Sequence, residues 1–291
     1  MRKSCDTAKM TFAVAVNDRE LFETNFLASL CFRTPHNFQI LVQENFTSAA
    51  KAYNDAIERS VNDLIVFAHQ DMIFPSSWLP QLEVALQYLQ EHDPNWGVLG
   101  AYGKAWDGTG WGHVYSNGRG IIGEQFECPV PIQTLDEIVL IFRKSSGLRF
   151  DEGLPHFHFY GSDICLRAAK RGLKSYAVSA FCIHNAQEKL VLPEEFYECY
   201  RYERRTWKAE LPIETTCIEI SKFSSQVYVR RFREAIHRLL GRNETGTLRE
   251  QDVQGLLHKL ESVPLDLSSC AEEACCKSAE VECVSDITGK K

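Results

Sequence analysis

A chain of 291 residues, 44% hydrophobic and 24% charged, can bury a sizeable core, which excludes a disordered polymer, a collagen-like repeat and a disulfide-stapled miniprotein. Its formal charge of -7 excludes a protein built chiefly to coat nucleic acid. No apolar run reaches the roughly 18 residues of a membrane helix, and Asp6 and Lys9 interrupt the place where a signal core would follow Arg2 and Lys3, so neither a transmembrane segment nor secretion is expected.

In chain order, Phe12 to Val16 reads as a strand, Asn17 and Asp18 as a cap, and Leu21, Phe22, Phe26, Leu27 and Leu30 as one side of a helix. Phe38 to Gln43 gives a second strand, and Ser48 caps an amphipathic helix from Ala49 to Arg59. Leu64 to Ala68 is a third strand, Trp78 to Glu91 a helix, and Trp96 to Gly100 a short strand. Apolar strands alternating with helices predict an α/β fold, with a mostly parallel sheet flanked by helices and ligands at the strands' carboxyl ends.

Residues 102 to 123 are dense in glycine and tryptophan and predict a binding loop rather than regular structure. Ile138 to Arg143 then forms a strand, Tyr160 to Arg171 a helix stopped by Gly172, and Lys174 to His184 a last strand, so the core closes near residue 190. A C-terminal helical extension follows over 191–263, with patterns at Glu194 to Ala209, Phe223 to Leu240 and Leu248 to Val263. Arginines 230, 231, 233 and 238 flank Val229, Phe232 and Ile236; a solvated helix docked on the core is expected, and weak contact of 223–240 with a membrane surface or acidic partner is the alternative.

The tail, 264–291, holds Cys270, Cys275, Cys276 and Cys283 without CxxC spacing or nearby histidines, so disorder rather than a metal site is expected there. Eleven cysteines is an odd number, and Cys31, Cys165 and Cys182 lie in apolar segments, which suits reduced thiols in a cytoplasmic protein.

Asp71 directly follows an apolar strand, where a carboxylate can meet a ligand or a hard cation; an acid capping the turn before Pro75 is the plainer alternative. His184 likewise ends an apolar strand. The order and spacing of Phe67-Ala68-His69-Gln70-Asp71-Met72, Thr134-Leu135-Asp136-Glu137, and the stretch from Phe150-Asp151-Glu152 through His156-Phe157-His158-Phe159-Tyr160 to Asp163-Ile164-Cys165-Leu166-Arg167-Ala168 and Gly172 resemble family 2 glycosyltransferases. Among these the StrF-type subgroup of streptomycin biosynthesis is the most similar, over residues 11 to 190.

The resemblance implies a GT-A nucleotide-diphospho-sugar transferase domain over 1–190 that moves a sugar from a nucleotide sugar to an unknown acceptor, with inversion and a divalent metal. It implies that Asn17, Asp18, Glu44 and Asn54 line the nucleotide pocket and that Asp71 and His184 hold the metal on the donor diphosphate. Imidazole favours Mn²⁺ over Mg²⁺. Helix capping for Asn17 and Asp18, and plain exposure for Asn54, are the alternatives.

The same resemblance puts Gly161 where a catalytic aspartate is usual, so the base falls to Asp163, to His158 or Asp136, or is missing, in which case the chain binds a nucleotide sugar without transferring it. Trp106, Asp107 and Trp111, with Glu137, are the candidates for sugar or acceptor contact, since aromatic faces suit pyranose rings; packing of that segment on the core is the alternative.

Overall fold

The computed structural model describes residues 9–33, 38–187, 189–241 and 246–261. Strand β1 (Met10–Ala15) is buried along nearly its whole length, as a strand with neighbours on both edges must be. Asp18 then accepts a hydrogen bond from Leu21 N at 3.0 Å and caps the single turn α1 (Arg19–Leu21). The expected continuous helix stops there. Leu27 N bonds to Phe22 O, one residue beyond the α-helical partner, so Phe22–Phe26 form a π-turn that sends Phe22 and Phe26 into the core and leaves Leu27 outside.

β2 (Gln39–Gln43) follows, then α2 (Ala49–Arg59), capped by Ser48 as its sequence predicts. Next come β3 (Leu64–His69), β4 (Met72–Ile73), α3 (Trp78–His92) and β5 (Leu99–Gly100).

The glycine-dense segment is not the expected loop. It folds into β6 (Tyr102–Lys104), β7 (Gly110–Ser116) and β8 (Gly120–Gly123), paired antiparallel in succession. Glycine serves close backbone approach here: a Cβ on Gly123 would run into the Gly112 carbonyl oxygen, and one on Gly112 into that of Ala101.

β9 (Val130–Ile132), β10 (Thr134–Leu135), β11 (Val139–Arg143) and α4 (Tyr160–Lys170) lead to β12 (Ser175–Ala177) and β13 (Cys182–His184). The last two replace the single strand expected from Lys174 to His184, because the chain crosses between sheets there. β12 completes a seven-stranded sheet of order β2-β1-β3-β11-β5-β12-β9, while β13 joins a second sheet of order β10-β6-β7-β13-β4 with β8 beside β7. In the first sheet β2, β1 and β3 are parallel, as are β5 and β12; β11 and the edge strand β9 run against their neighbours.

The core does not close near residue 190. Helix α5 (Glu194–Thr206) buries Phe196, Tyr197 and Tyr200 in the main core, and Trp207, Ile213, Ile218 and Ile220 continue it. Helix α6 (Ser225–Leu239) contributes only Val227. Helix α7 (Val253–Glu261) packs Val253, Leu256, Leu257 and Leu260 on Ile73 and Ile183 of the second sheet and on Phe181 just before β13. Among the described residues no helix is long and apolar enough to cross a membrane, and the described cysteines form no disulfide with one another. The polar tail over 264–291 lies outside the described residues.

Candidate metal and donor site

The chain turns sharply after β3, and that turn places the chemistry. His69 is the last residue of β3, and Asp71 sits in the turn before β4. β13 pairs antiparallel with β4 so that His184 lies opposite Met72, next to Asp71. One ligand atom from each of His69, Asp71 and His184 falls within 4.8 Å of the others. The expectation named Asp71 and His184; His69, two residues before Asp71, was not named as a ligand.

The electrostatics of the cluster are those of a carboxylate held among cations. Burial works to raise the Asp71 pKa, but His184, His69 and Arg249 overcome it and hold the group below its ordinary value. Burial lowers His184, yet the Asp71 carboxylate 3.4 Å away outweighs it and raises the imidazole. His69 is lowered, because burial dominates the pull of Asp71. Its Nε2 lies 3.0 Å from Tyr160 Oη, which donates to the Glu137 carbonyl oxygen at 3.1 Å. Tyr160 thus ties the start of α4 to the cluster.

Two imidazoles and a carboxylate form a donor set suited to a first-row divalent cation. A guanidinium lies beside it. Arg249 Nη2 donates to Asp71 Oδ2 at 3.1 Å and Nη1 to Gln187 Oε1 at 3.3 Å, while its buried Nε has no partner among the described residues. The segment carrying Arg249 is anchored by Asn185, whose side chain accepts from Glu250 N at 2.8 Å and donates to Glu250 O at 2.9 Å. Nothing in the local sequence pattern marks Arg249; it is found only once the chain is folded.

The other candidate residues divide into two groups. Asn17 and Asp18 sit at the carboxyl end of β1, both exposed, with their backbone N–H groups donating to Gln70 Oε1 at 3.0 Å, so the β1 and β3 turns brace each other. Glu44 is exposed at the end of β2 and pairs with Arg19 at 3.0 Å. Asn54, in contrast, is buried: its amide donates to Phe150 O and Glu152 Oε1 and accepts from Phe150 N at 3.0 Å.

Asp163 is fully buried and held by Arg167 at 2.6 Å and by Trp207 Nε1 at 3.0 Å. Burial raises its pKa against those partners. His158 is pushed down to about 4, first by burial and then by His69, and so stands neutral at neutral pH. Asp136 is half-buried, accepts from Ile138 N and from the Thr216 hydroxyl at 2.6 Å, and its charge raises both His69 and His184. Glu137 beside it is raised well above the carboxylate range, by burial and then by Asp136.

Gly161 has no room for a side chain, since a Cβ there would lie 2.6 Å from the Leu135 carbonyl oxygen and 3.2 Å from Glu137 Cγ. Trp106 stands 65% exposed, Asp107 accepts from Thr109 N at 2.8 Å within the β6–β7 turn, and Trp111 packs edge-on to Phe126. A surface hollow of about 440 Å³, lined by Pro155, Glu198, Tyr202 and arginines of α5, shares no residue with the cluster.

The model of the Glycosyltransferase like family matches residues 11–204, more than half of the chain, and the chain belongs to that family. Its GT-A class of fold agrees with the α/β architecture described above. A curated relative, "ATP synthase subunits region ORF 6" of Fuscovulum blasticum, is 26% identical over 142 residues, 46% of this chain and 55% of that protein, so the chain spans about half the length of the curated relative it matches. Solved structures with similar outlines include S. aureus TarS 1-349 in complex with UDP, at TM-score 0.43 and 18% identity over 66% of this chain and 63% of that one. The mannosyltransferase PcManGT from Pyrobaculum calidifontis in complex with GDP-Man and Mn²⁺ scores 0.42 at 12% identity over 86% and 68%.

Proposed function

We propose that this member of the Glycosyltransferase like family transfers a sugar from a nucleoside-diphosphate donor to an acceptor hydroxyl, with a divalent cation held by His69, Asp71 and His184. The observation that carries the reading is the gathering of those three side chains at the carboxyl end of β3, the edge where α/β sheets bind their ligands. A cation there would offset the negative charge that develops on a departing diphosphate. Two imidazoles favour Mn²⁺ over Mg²⁺. Arg249, already on Asp71, is placed to add a guanidinium to the same diphosphate.

The exposed Asn17, Asp18 and Glu44, at the ends of β1 and β2, are proposed to meet the nucleoside. We read the acceptor side as the β6–β8 ribbon with Trp106, Asp107 and Trp111, together with Glu137, and the subgroup as StrF-type on the motifs around Asp71 and Tyr160. We read the setting as cytoplasmic from the buried thiols of Cys165, Cys182 and Cys199, which suit a reducing compartment.

For the base, support favours Asp136 among the three candidates. Asp163 is occupied by Arg167 and Trp207, and an imidazole as acidic as His158 is a weak proton acceptor, whereas Asp136 is half-exposed and near enough to the cluster to act on both histidines. Asp136 would take the acceptor proton as the hydroxyl oxygen attacks the anomeric carbon from the face opposite the diphosphate, inverting the centre. The crowding at Gly161 favours one further reading, a chain that binds a nucleotide sugar and does not transfer it.

Calorimetric titration of UDP and GDP, with and without Mn²⁺, tests the site: one nucleotide should bind in a metal-dependent way that Asp71→Asn abolishes. Metal-independent binding unchanged in that variant would rule the cluster out. A donor and acceptor panel then separates the two readings. Release of nucleoside diphosphate that Asp136→Asn lowers about 10²-fold or more, with donor binding intact, identifies the enzyme; tight binding without release identifies the binder.

A further inference from the structure

Helix α6 is inside out. Tyr228, Val229, Phe232, Ile236 and Leu239 recur at helical spacing along one face, a pattern that in a globular protein is turned toward the core. Here that face looks at solvent: Phe232 is 68% and Leu239 85% exposed, and Phe223, just before the helix, is 84% exposed. The helix is solvated and docked, as expected from sequence, but it docks by another side than this face. What holds α6 to the body is Val227 and a polar inner side, where the buried Glu234 accepts from Leu192 N at 3.1 Å and from Arg230 at 3.3 Å, and Arg231 pairs with Glu194 at 3.0 Å.

The apolar stripe is bordered by arginines, of which Arg231 is paired with Glu194. Arg233 lies along one edge of it and Arg231 and Arg238 along the other, and Arg233 and Arg238 make no ion pair among the described residues. The only acid of the helix, Glu234, is buried and already paired with Arg230. A chain of formal charge -7 thus gathers four arginines on a helix whose large apolar side chains face water.

We propose that α6 is an interfacial helix that lies in the surface of an anionic lipid bilayer, with Tyr228, Phe232, Ile236 and Leu239 in the acyl boundary and the flanking arginines on lipid phosphates. A contiguous exposed apolar stripe marks an interaction face, and apolar residues edged by arginine suit a surface that is apolar below and anionic above. At 15 residues the helix is too short to span a bilayer, so it lies in the plane. A second copy is a poor occupant, because pairing two such faces sets arginine against arginine.

The test uses the full chain and co-sedimentation with vesicles of phosphatidylcholine, with and without a third of phosphatidylglycerol. Partitioning should be about tenfold stronger onto the anionic vesicles and should fall as salt is raised. The double variant Phe232→Ser with Leu239→Ser should lose about tenfold on anionic vesicles, and Arg233→Gln with Arg238→Gln should erase the preference between vesicles. Both replace exposed residues, so circular dichroism and melting should match the parent. Equal binding to the two vesicles overturns the proposal, as does no binding by a monomeric chain, which would give the face to a protein partner. A dimer in sedimentation that the Phe232/Leu239 variant dissolves also overturns it, in favour of a second copy.

Discussion

Arg249 Nη2 lies 3.1 Å from Asp71 Oδ2, on the far side of the carboxylate from His184 Nε2 at 3.4 Å from Oδ1. A residue 178 positions along the chain is thereby brought onto the one acid of the candidate metal cluster. It arrives on a segment fixed by Asn185 at one end and by the apolar side of α7 at the other. The guanidinium supplies Asp71 with positive charge that a divalent cation would otherwise supply, so the two compete for the carboxylate while both can serve a diphosphate.

Arg249→Ala should therefore separate metal binding from donor binding. Mn²⁺ alone should bind several-fold tighter, because removing one charge pair at a partly buried site is worth about 1 kcal/mol. The nucleoside diphosphate, measured in saturating Mn²⁺, should bind more weakly. Paramagnetic resonance of free Mn²⁺ and calorimetry of the nucleotide give the two constants. Weaker Mn²⁺ binding in the variant would mean that Arg249 only orients Asp71.

Asn54 gives a prediction that goes against its expected place in the nucleotide pocket. Its side chain closes a two-way bridge with the Phe150 backbone, and both partners are buried. Asn54→Ala should cost roughly 1 to 3 kcal/mol of stability by stranding the Phe150 N–H and C=O, seen as a lowered denaturation midpoint. Donor affinity of the folded variant should be unchanged. A selective loss of nucleotide binding with normal stability would return Asn54 to the pocket.

Glu203 predicts a pH dependence. It is buried with neither carboxylate oxygen partnered, and burial, followed by the charge of Asp163, pushes its pKa up to about 10. The folded chain therefore keeps a proton that the unfolded chain sheds above its ordinary pKa of 4.5. Stability from this group is full below pH 4.5, declines as pH rises, and is gone above about 10. Glu203→Gln keeps the shape and stays neutral, so thermal melts at pH 6 and pH 9 should show a gain that is larger at pH 9. An equal gain at both would show that Glu203 of the folded chain is already ionised at pH 6, and that its pKa is not raised.

Much of this architecture was legible in the sequence because local signals and tertiary packing agree. Ser48 and the apolar spacing after it delimit α2, and the apolar run ending at His69 delimits β3. Asp71 and His184 were marked by their places, Asp71 in the turn just after an apolar strand and His184 at the end of one. The failures have one physical form. Glycines of residues 102–123 were read as a binding loop, whereas in the fold they admit neighbouring backbone; the helix carrying Val229, Phe232 and Ile236 was expected to dock on the core, and periodicity cannot say which side of a helix the core is on. His69 and Arg249 needed the register of β13 on β4 and the return of the chain after α6, neither of which is a local property.

Gly161 carries the last prediction, which decides whether the chain has lost a base or never had room for one. The start of α4 rests directly on the 135–137 turn, and a Cβ at position 161 would meet the Leu135 carbonyl oxygen at 2.6 Å and the Asp136 carbonyl carbon at 3.2 Å. Backbone on both sides cannot yield as a flexible side chain would, so Gly161→Ala should cost about 1 to 3 kcal/mol. Gly161→Asp should cost more, since its carboxylate would join Asp136 and Glu137 in a confined space. The displacement should also reach the cluster, because the neighbouring Tyr160 bonds at once to Glu137 O and His69 Nε2. Mn²⁺ binding should therefore weaken in Gly161→Ala, although the residue touches none of His69, Asp71 or His184. Denaturation midpoints and Mn²⁺ titration of the same sample measure both effects. If Gly161→Asp instead folds with unchanged stability and raises sugar transfer, α4 has room to move and the position is a vacated base site.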